Sequence, residues 1–97
     1  MDKKKIALKA KRLWSLLDKY SSTNDSAMKA FNALRELLIK ASSGQINSQL
    51  KWSEVPCGYL FVEGDLGRFK DLEEAYAEFK VEVTGGNDQL MDKIKNL

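Results

Sequence analysis

The chain has 97 residues, of which 43% are hydrophobic and 31% charged, a composition typical of one small globular domain. Its mean hydropathy is −0.42, and no run approaches the ~18 apolar residues that a membrane-spanning helix needs. A membrane span is therefore not expected. A secretory signal peptide is not expected either, because Lys9, Lys11 and Arg12 interrupt the stretch that should be apolar. We expect a cytoplasmic protein.

Two residue types are missing or scarce. The chain contains no histidine and a single cysteine, Cys57. Catalytic arrangements that use histidine and zinc sites with several cysteines are thereby excluded within this chain. Cys57 lies between Pro56 and an apolar run, which predicts a buried residue that packs as a small hydrophobe. We expect no cofactor and no enzymatic activity.

Two amphipathic helices are predicted in the first half, over 3–20 and 25–42. The run 21–24, Ser-Ser-Thr-Asn, is expected to end the first helix and to supply an N-cap for the second, and Gly44 is expected to end the second. The short polar link between the helices predicts antiparallel packing. The apolar stripe of the first helix consists of Ile6, Ala10, Leu13, Trp14, Leu17 and Tyr20. That of the second consists of Met28, Phe31, Leu34, Leu38 and Ala41, widened by Ala30, Ala33 and Leu37.

The second half is less regular. Residues 45–70 show no sustained period, and the run 59–62 is rich in β-forming residues but short. Two further helices are predicted over 71–83 and 88–97, the first with a stripe of Leu72, Ala75, Tyr76, Phe79 and Val83. The sequence thus predicts a single domain over 1–97, mainly α, with about four helices and a short extended or hairpin segment within 50–63. An α+β fold is left open.

Charge is divided unevenly along the chain. Residues 1–51 carry a net charge of +7, and residues 52–97 a net charge of −5. The basic first helix could lie against the acidic helix 71–83, bind an acidic protein, lie on a membrane surface, or bind nucleic acid. In the last case the polyanion would contact the six basic residues near the N-terminus: Lys3, Lys4, Lys5, Lys9, Lys11 and Arg12.

An acidic turn follows the irregular segment. Glu63, Asp65, Asp71 and Glu74 have a spacing that partly matches a calcium-binding loop, but Gly67 and Arg68 occupy positions where that loop needs an oxygen donor and a glycine. We therefore predict no metal site. Gly64 and Gly67 are expected to adopt backbone conformations that other residues avoid.

The segment 64–72, Gly-Asp-Leu-Gly-Arg-Phe-Lys-Asp-Leu, resembles the G-G-M-G-S-[FL]-N-D-[LV] signature of a group of small bacterial helical proteins. Some members of this group act as immunity proteins for toxins, and in them two helices precede the glycine turn and a final helix ends the domain. The compared segment is nine residues long; it departs from the signature at Asp65, Arg68 and Lys70, and Leu66 replaces the similar methionine. The resemblance implies a protein that binds and blocks a partner.

Binding of this kind depends on a few aromatic and charged anchor residues. The candidates are large side chains of the irregular segment without an assigned helical face: Trp52, Tyr59, Arg68 and Phe69. Each is also a reasonable core residue. The predicted function is a small, non-catalytic protein-interaction domain of the immunity or antitoxin type, and non-specific nucleic-acid binding by the first helix is the alternative. A homodimer is also compatible with the sequence.

Overall fold

The computed structural model describes residues 2–62 and 64–85. Four helices occur there, with α1 at Lys3–Ser21, α2 at Asp25–Ser42, α3 at Gly58–Val62 and α4 at Lys70–Val83. Two 3₁₀ turns, at Trp52–Glu54 and Asp65–Arg68, flank α3. The mainly helical fold is confirmed, as are the three long helices to within one residue at each end. The helix predicted over 88–97 lies outside the described residues.

Helix α1 forms the centre of the fold and packs against both α2 and α4. Trp14 meets Phe31 edge-on, with ring centroids 4.7 Å apart, so α2 runs back along α1. Helix α4 is also antiparallel to α1, because Tyr20 at the end of α1 bonds Asp71 at the start of α4. Four α1 stripe residues face this core: Ile6, Ala10, Leu13 and Leu17.

The ends of the helices follow their local sequence. The Asn24 side chain accepts a hydrogen bond from the Ala27 N–H at 2.9 Å, which caps α2 as predicted. Gly44 has a φ of +70°, and it closes α2 with bonds from its own N–H to Ala41 and from the Gln45 N–H to Lys40. These paired bonds to the last helical carbonyls form a Schellman motif. Two positions of the stripe predicted for α2 are wrong, because Met28 and Ala33 are exposed, whereas Ala27 is buried.

The segment between α2 and α3 crosses the C-terminal end of α4. The Leu50 N–H donates to the Val83 carbonyl at 3.0 Å, and the Gln49 side chain donates to the Thr84 carbonyl at 3.0 Å. Ile46 and Val55 are buried along this path. The segment therefore satisfies carbonyl groups that the end of a helix leaves without partners.

The predicted extended or hairpin segment within 50–63 is wrong, since the described residues contain no strand. The β-forming run 59–62 belongs to α3. A helical turn places Leu60 and Phe61 against the core while Tyr59 faces solvent. An isolated strand would need a partner strand for its backbone groups, whereas a helical turn satisfies them locally.

Gly64 and Gly67 are required for a reason other than the one predicted. Neither has a positive φ, so no unusual backbone conformation is needed. A Cβ on Gly64 would lie 2.8 Å from the Leu60 carbonyl oxygen, and one on Gly67 would lie 2.5 Å from that of Phe61. The two glycines allow the second 3₁₀ turn to pack directly on the backbone of α3.

Candidate protein-interaction surface

A groove of about 380 Å³ opens beside Trp52, one of the four predicted anchors. We call it the Trp52 groove. It is lined by Trp52, Gly58, Phe61, Glu73, Tyr76, Ala77 and Lys80. The first 3₁₀ turn supplies Trp52, helix α3 supplies one wall and helix α4 supplies the floor. Trp52 itself retains 38% of its accessible surface.

Two stacked aromatic rings hold the floor of the groove in place. Phe61 of α3 and Tyr76 of α4 stack with centroids 4.2 Å apart and planes 14° apart. The Tyr76 hydroxyl donates a 2.6 Å hydrogen bond to the carbonyl of Pro56. Burial raises the pKa of Tyr76, with a further contribution from nearby Cys57. The phenol therefore stays protonated and continues to donate this bond at any physiological pH.

Lys80 crosses the groove beneath Trp52. Only 8% of Lys80 is exposed, and its Nζ lies 4.3 Å from the centroid of the Trp52 ring and 5.8 Å from that of Tyr76. A cation at this distance from an indole face is attracted to it. A Cβ on Gly58 would come within 3.4 Å of the Lys80 Nζ. The ammonium group therefore packs against Gly58 and contacts the indole ring.

Tyr59, another of the four predicted anchors, is exposed. It follows Gly58 on α3 and is 63% exposed, more than Trp52. Since its neighbours Leu60 and Phe61 are buried, the short helix directs Tyr59 away from the core. Two of the four predicted anchors, Trp52 and Tyr59, are therefore large aromatic residues with substantial exposure, and Trp52 lines the groove.

The other two predicted anchors, Arg68 and Phe69, do not line the Trp52 groove. Phe69 stacks on Tyr20 at the end of α1, with centroids 4.4 Å apart and planes 27° apart. The Arg68 guanidinium lies 4.9 Å from the centroid of the Phe69 ring and approaches Asp65 at 4.0 Å. Phe69 is partly buried against the core. Phe69 therefore joins the end of α1 to the start of α4, and Arg68 packs against Phe69.

The acidic residues around the second 3₁₀ turn form contacts within the fold. Hydrogen bonds from Ser26 and Asn24 hold the pKa of Asp65 below its ordinary value, and this ties the turn to the start of α2. The Tyr20 hydroxyl donates to Asp71 at 2.8 Å, lowering the pKa of that carboxyl. Glu63 lies outside the described residues. Within residues 2–62 and 64–85, no group of three or more potential ligands could hold a metal ion.

The six candidate polyanion-binding residues have different surroundings. Lys9 and Arg12 contact Glu78 of α4 at 3.2 and 2.8 Å, and Arg12 also approaches Glu74 at 3.6 Å. These contacts, with the Lys9 hydrogen bond as the largest cause, lower the pKa of Glu78. The basic first helix and the acidic helix α4 therefore face each other, which was one of the four alternatives.

The remaining four basic residues have no acidic partner on α4 among the ion pairs of the described residues. Lys3 donates to the Asn47 side chain at 3.1 Å. Lys4, Lys5 and Lys11 are exposed, and none of them forms an ion pair with another residue in the described part of the chain.

Cys57 is buried, as predicted, but its backbone was not anticipated. Its φ is +74°, a region that residues with a side chain seldom adopt. Burial raises the pKa of its thiol, which favours the less reactive protonated form. The Pro56–Gly58 corner places Gly58 against Lys80 and presents the Pro56 carbonyl to Tyr76. The strained residue thus shapes one wall of the Trp52 groove.

Sequence reasoning missed three residues that complete the groove: Phe61, Tyr76 and Lys80. Tyr76 was assigned only to the core, and it contributes to the core and the groove together. A signal for Lys80 was present, because it follows Tyr76 by four residues and precedes Val83 by three. That spacing places a lysine on the buried face of α4, where a buried cation needs a partner.

No helix among the described residues is both long enough and apolar enough to cross a membrane. No protein-family model, no curated protein and no solved structure significantly matches this chain.

Proposed function

We propose that this protein is a small, non-catalytic interaction domain that binds a protein partner through the Trp52 groove and Tyr59. The observation that carries the proposal is an exposed tryptophan beside a buried cation at a mainly apolar groove, with an exposed tyrosine on α3, the helix that forms one wall of that groove. Tryptophan and tyrosine are the residue types most enriched among those that dominate binding energy at protein interfaces.

The packing beneath the groove supports a binding role. The stacked rings of Phe61 and Tyr76 and the bond from Tyr76 to Pro56 fix the floor. A partner that inserts an apolar side chain would therefore meet a surface that is already ordered. Binding to such a surface loses less conformational entropy than binding to a flexible one.

We further propose that the partner is blocked by binding, as in an immunity or antitoxin protein. The glycine turn that resembles the signature of such proteins lies against α3, because Gly64 and Gly67 contact its backbone carbonyls. Helix α3 carries Tyr59 and one wall of the groove. In this proposal the turn is a scaffold that holds the binding surface at a fixed angle to α4.

The first experiment is an affinity capture from the native lysate, with and without nuclease, followed by measurement of the dissociation constant for the purified partner. Tyr59→Ala is the main variant, because its exposed side chain contributes little to folding. Trp52→Phe keeps an aromatic ring near Lys80 and tests the indole. Ile39→Ala is the matched control, since Ile39 is an exposed apolar residue on α2, 49% accessible, outside the Trp52 groove.

We expect Tyr59→Ala to weaken binding of the captured protein by about 30-fold, which corresponds to about 2 kcal/mol for an anchor residue. The Ile39→Ala control should bind like the wild type. Equal affinity for all variants would contradict the proposal. Nuclease-sensitive capture would instead favour nucleic acid, and a purified wild-type dimer that Tyr59→Ala dissociates would identify a second copy as the partner.

A further inference from the structure

The outward side of α1 carries a second surface, separate from the Trp52 groove. Residues on opposite sides of an α-helix differ by about 180° in direction, at 100° per residue. Leu8 points away from the buried residues Ile6 and Leu17 and is 67% exposed, the largest exposed fraction among the exposed large hydrophobic residues. We define the Leu8 face as Lys4, Lys5, Leu8, Lys11 and Arg12.

The charges of this face are arranged unfavourably for the isolated protein. The first turn of α1 contains lysines and no acidic residue, although the N-terminal end of a helix is the positive end of its dipole. Asp2 caps the helix and accepts bonds from the Lys4 and Lys5 N–H groups at 3.0 and 3.2 Å, but it is a single negative charge. Side chains that a fold places at an electrostatic cost indicate a role outside folding.

The acids of α4 neutralise only one edge of the Leu8 face. Glu78 pairs with Lys9 and Arg12, which leaves Lys4, Lys5 and Lys11 around Leu8. A groove of about 390 Å³ lies beside Leu8, lined by Lys5, Leu8, Lys9, Arg12 and Glu82. An apolar side chain could enter this groove while negative groups meet the surrounding lysines.

The presence of leucine distinguishes between two classes of partner. Phosphate groups are bound by cationic side chains and other hydrogen-bond donors, and an aliphatic side chain among them adds little. Protein interfaces, in contrast, combine an apolar centre with a charged or polar rim. The arrangement of Leu8 within a lysine rim therefore favours a protein segment over nucleic acid.

We propose that the Leu8 face binds an acidic protein segment, one apolar side chain of which packs on Leu8 in the adjacent groove. Helix α4 separates this surface from the Trp52 groove, since Glu78 faces α1 whereas Tyr76 and Lys80 line the Trp52 groove. The protein would then have two independent interaction surfaces, one aromatic and one basic.

The test uses two synthetic peptides with glutamates around a central position, which is leucine in one peptide and serine in the other. A single-stranded oligonucleotide is the third probe. Dissociation constants are measured at low and physiological salt for the full-length protein. The variants are Leu8→Ser and the pair Lys4→Glu with Lys11→Glu. The matched control is the pair Lys29→Glu with Lys40→Glu, which makes the same charge change at exposed positions of α2.

We expect the leucine peptide to bind the wild type about tenfold more tightly than the serine peptide, and Leu8→Ser to abolish this difference. The double variant at Lys4 and Lys11 should bind both peptides much more weakly than the wild type does. The double variant on α2 should weaken binding only slightly, because its lysines lie on another helix. Equal binding of both peptides would overturn the proposal. Tighter binding of the oligonucleotide that is insensitive to Leu8→Ser, or no binding of any probe, would overturn it as well.

The peptide test of the Leu8 face is independent of the function proposed above. Tyr59→Ala lies outside the Leu8 face and should leave peptide binding unchanged. Failure of the peptides would leave the Trp52 groove untested, and loss of partner capture in Tyr59→Ala would not affect the Leu8 face. The two proposals can therefore fail separately.

Discussion

Replacement of Gly67 by alanine tests how the second 3₁₀ turn is attached to α3. The added Cβ would lie 2.5 Å from the Phe61 carbonyl oxygen and 3.4 Å from Oε2 of Glu73. Since Cβ atoms essentially never approach closer than 3.0 Å, the turn must move by about 0.5 Å or more relative to α3. The obstructing atom belongs to the backbone, so no side-chain rotation can relieve the contact.

The expected cost follows from the surroundings of the turn. Leu66, next to Gly67, is completely buried, and Phe61 is buried as well, so a displacement disturbs packed side chains. Overpacking of this kind costs about 1–3 kcal/mol, and we expect Gly67→Ala to lower the free energy of unfolding by about 2 kcal/mol. The measurement is urea unfolding followed by circular dichroism, which gives the free energy in water by linear extrapolation.

Asparagine variants show whether a glycine is needed because space is lacking or because its backbone conformation is unusual. Gly44 has a φ of +70° and open space around it, so Gly44→Asn should be more stable than Gly44→Ala, because asparagine tolerates the left-handed region. At Gly67 the larger asparagine should be no better than alanine. A Gly67→Asn variant more stable than Gly67→Ala, or a Gly67→Ala variant as stable as the wild type, would refute the close contact with α3.

Three further predictions concern buried and paired groups. Tyr76→Phe leaves the Pro56 carbonyl without its hydrogen bond and should lower the free energy of unfolding by about 1–3 kcal/mol in the same urea experiment; an unchanged midpoint would contradict that bond. Glu78→Gln removes the negative charge that two α1 cations share at a partly exposed site, and should cost less than about 1 kcal/mol. The folded pKa of Glu78 lies below its ordinary value of 4.5. Its stabilisation is therefore present above that value and is lost as the pH falls through the lowered folded pKa, so the wild type and Glu78→Gln should converge in stability in acid. The thiol of Cys57 should react with a disulfide reagent at mildly alkaline pH much more slowly in the folded protein than in urea, because burial raises its pKa; equal rates would contradict its burial.

The three long helices could be predicted because their signals are local. Apolar residues recur with the helical period in each of them, and this pattern can be recognised without knowledge of distant residues. At the two ends of α2, Asn24 and Gly44 form hydrogen bonds with backbone groups of that helix. The exposure of Met28 could not be predicted in this way. The helical period defines an apolar side only approximately, and the position of the neighbouring helices decides which edge of that side is covered.

The segment between α2 and α4 depended on tertiary contacts. The run 59–62 has β-forming residues, and it is helical because Phe61 stacks on Tyr76, which is distant in sequence. The glycines of the following turn were recognised from sequence, but their reason is the proximity of the α3 carbonyls. Propensity is a weak preference that packing against distant residues can override.

The candidate site divides in the same way. Composition excluded histidine-dependent catalysis. The lack of a helical period over residues 45–70 identified the large side chains of that segment as candidates, among them Trp52 and Tyr59. The sequence also revealed the uneven charge distribution, but not which lysines the acids of α4 would neutralise. Only the antiparallel packing of α1 and α4 places Glu78 against Lys9 and Arg12 and leaves the lysines around Leu8 exposed. Residue type determines what a side chain can bind, whereas its neighbours in three dimensions determine whether it is already engaged.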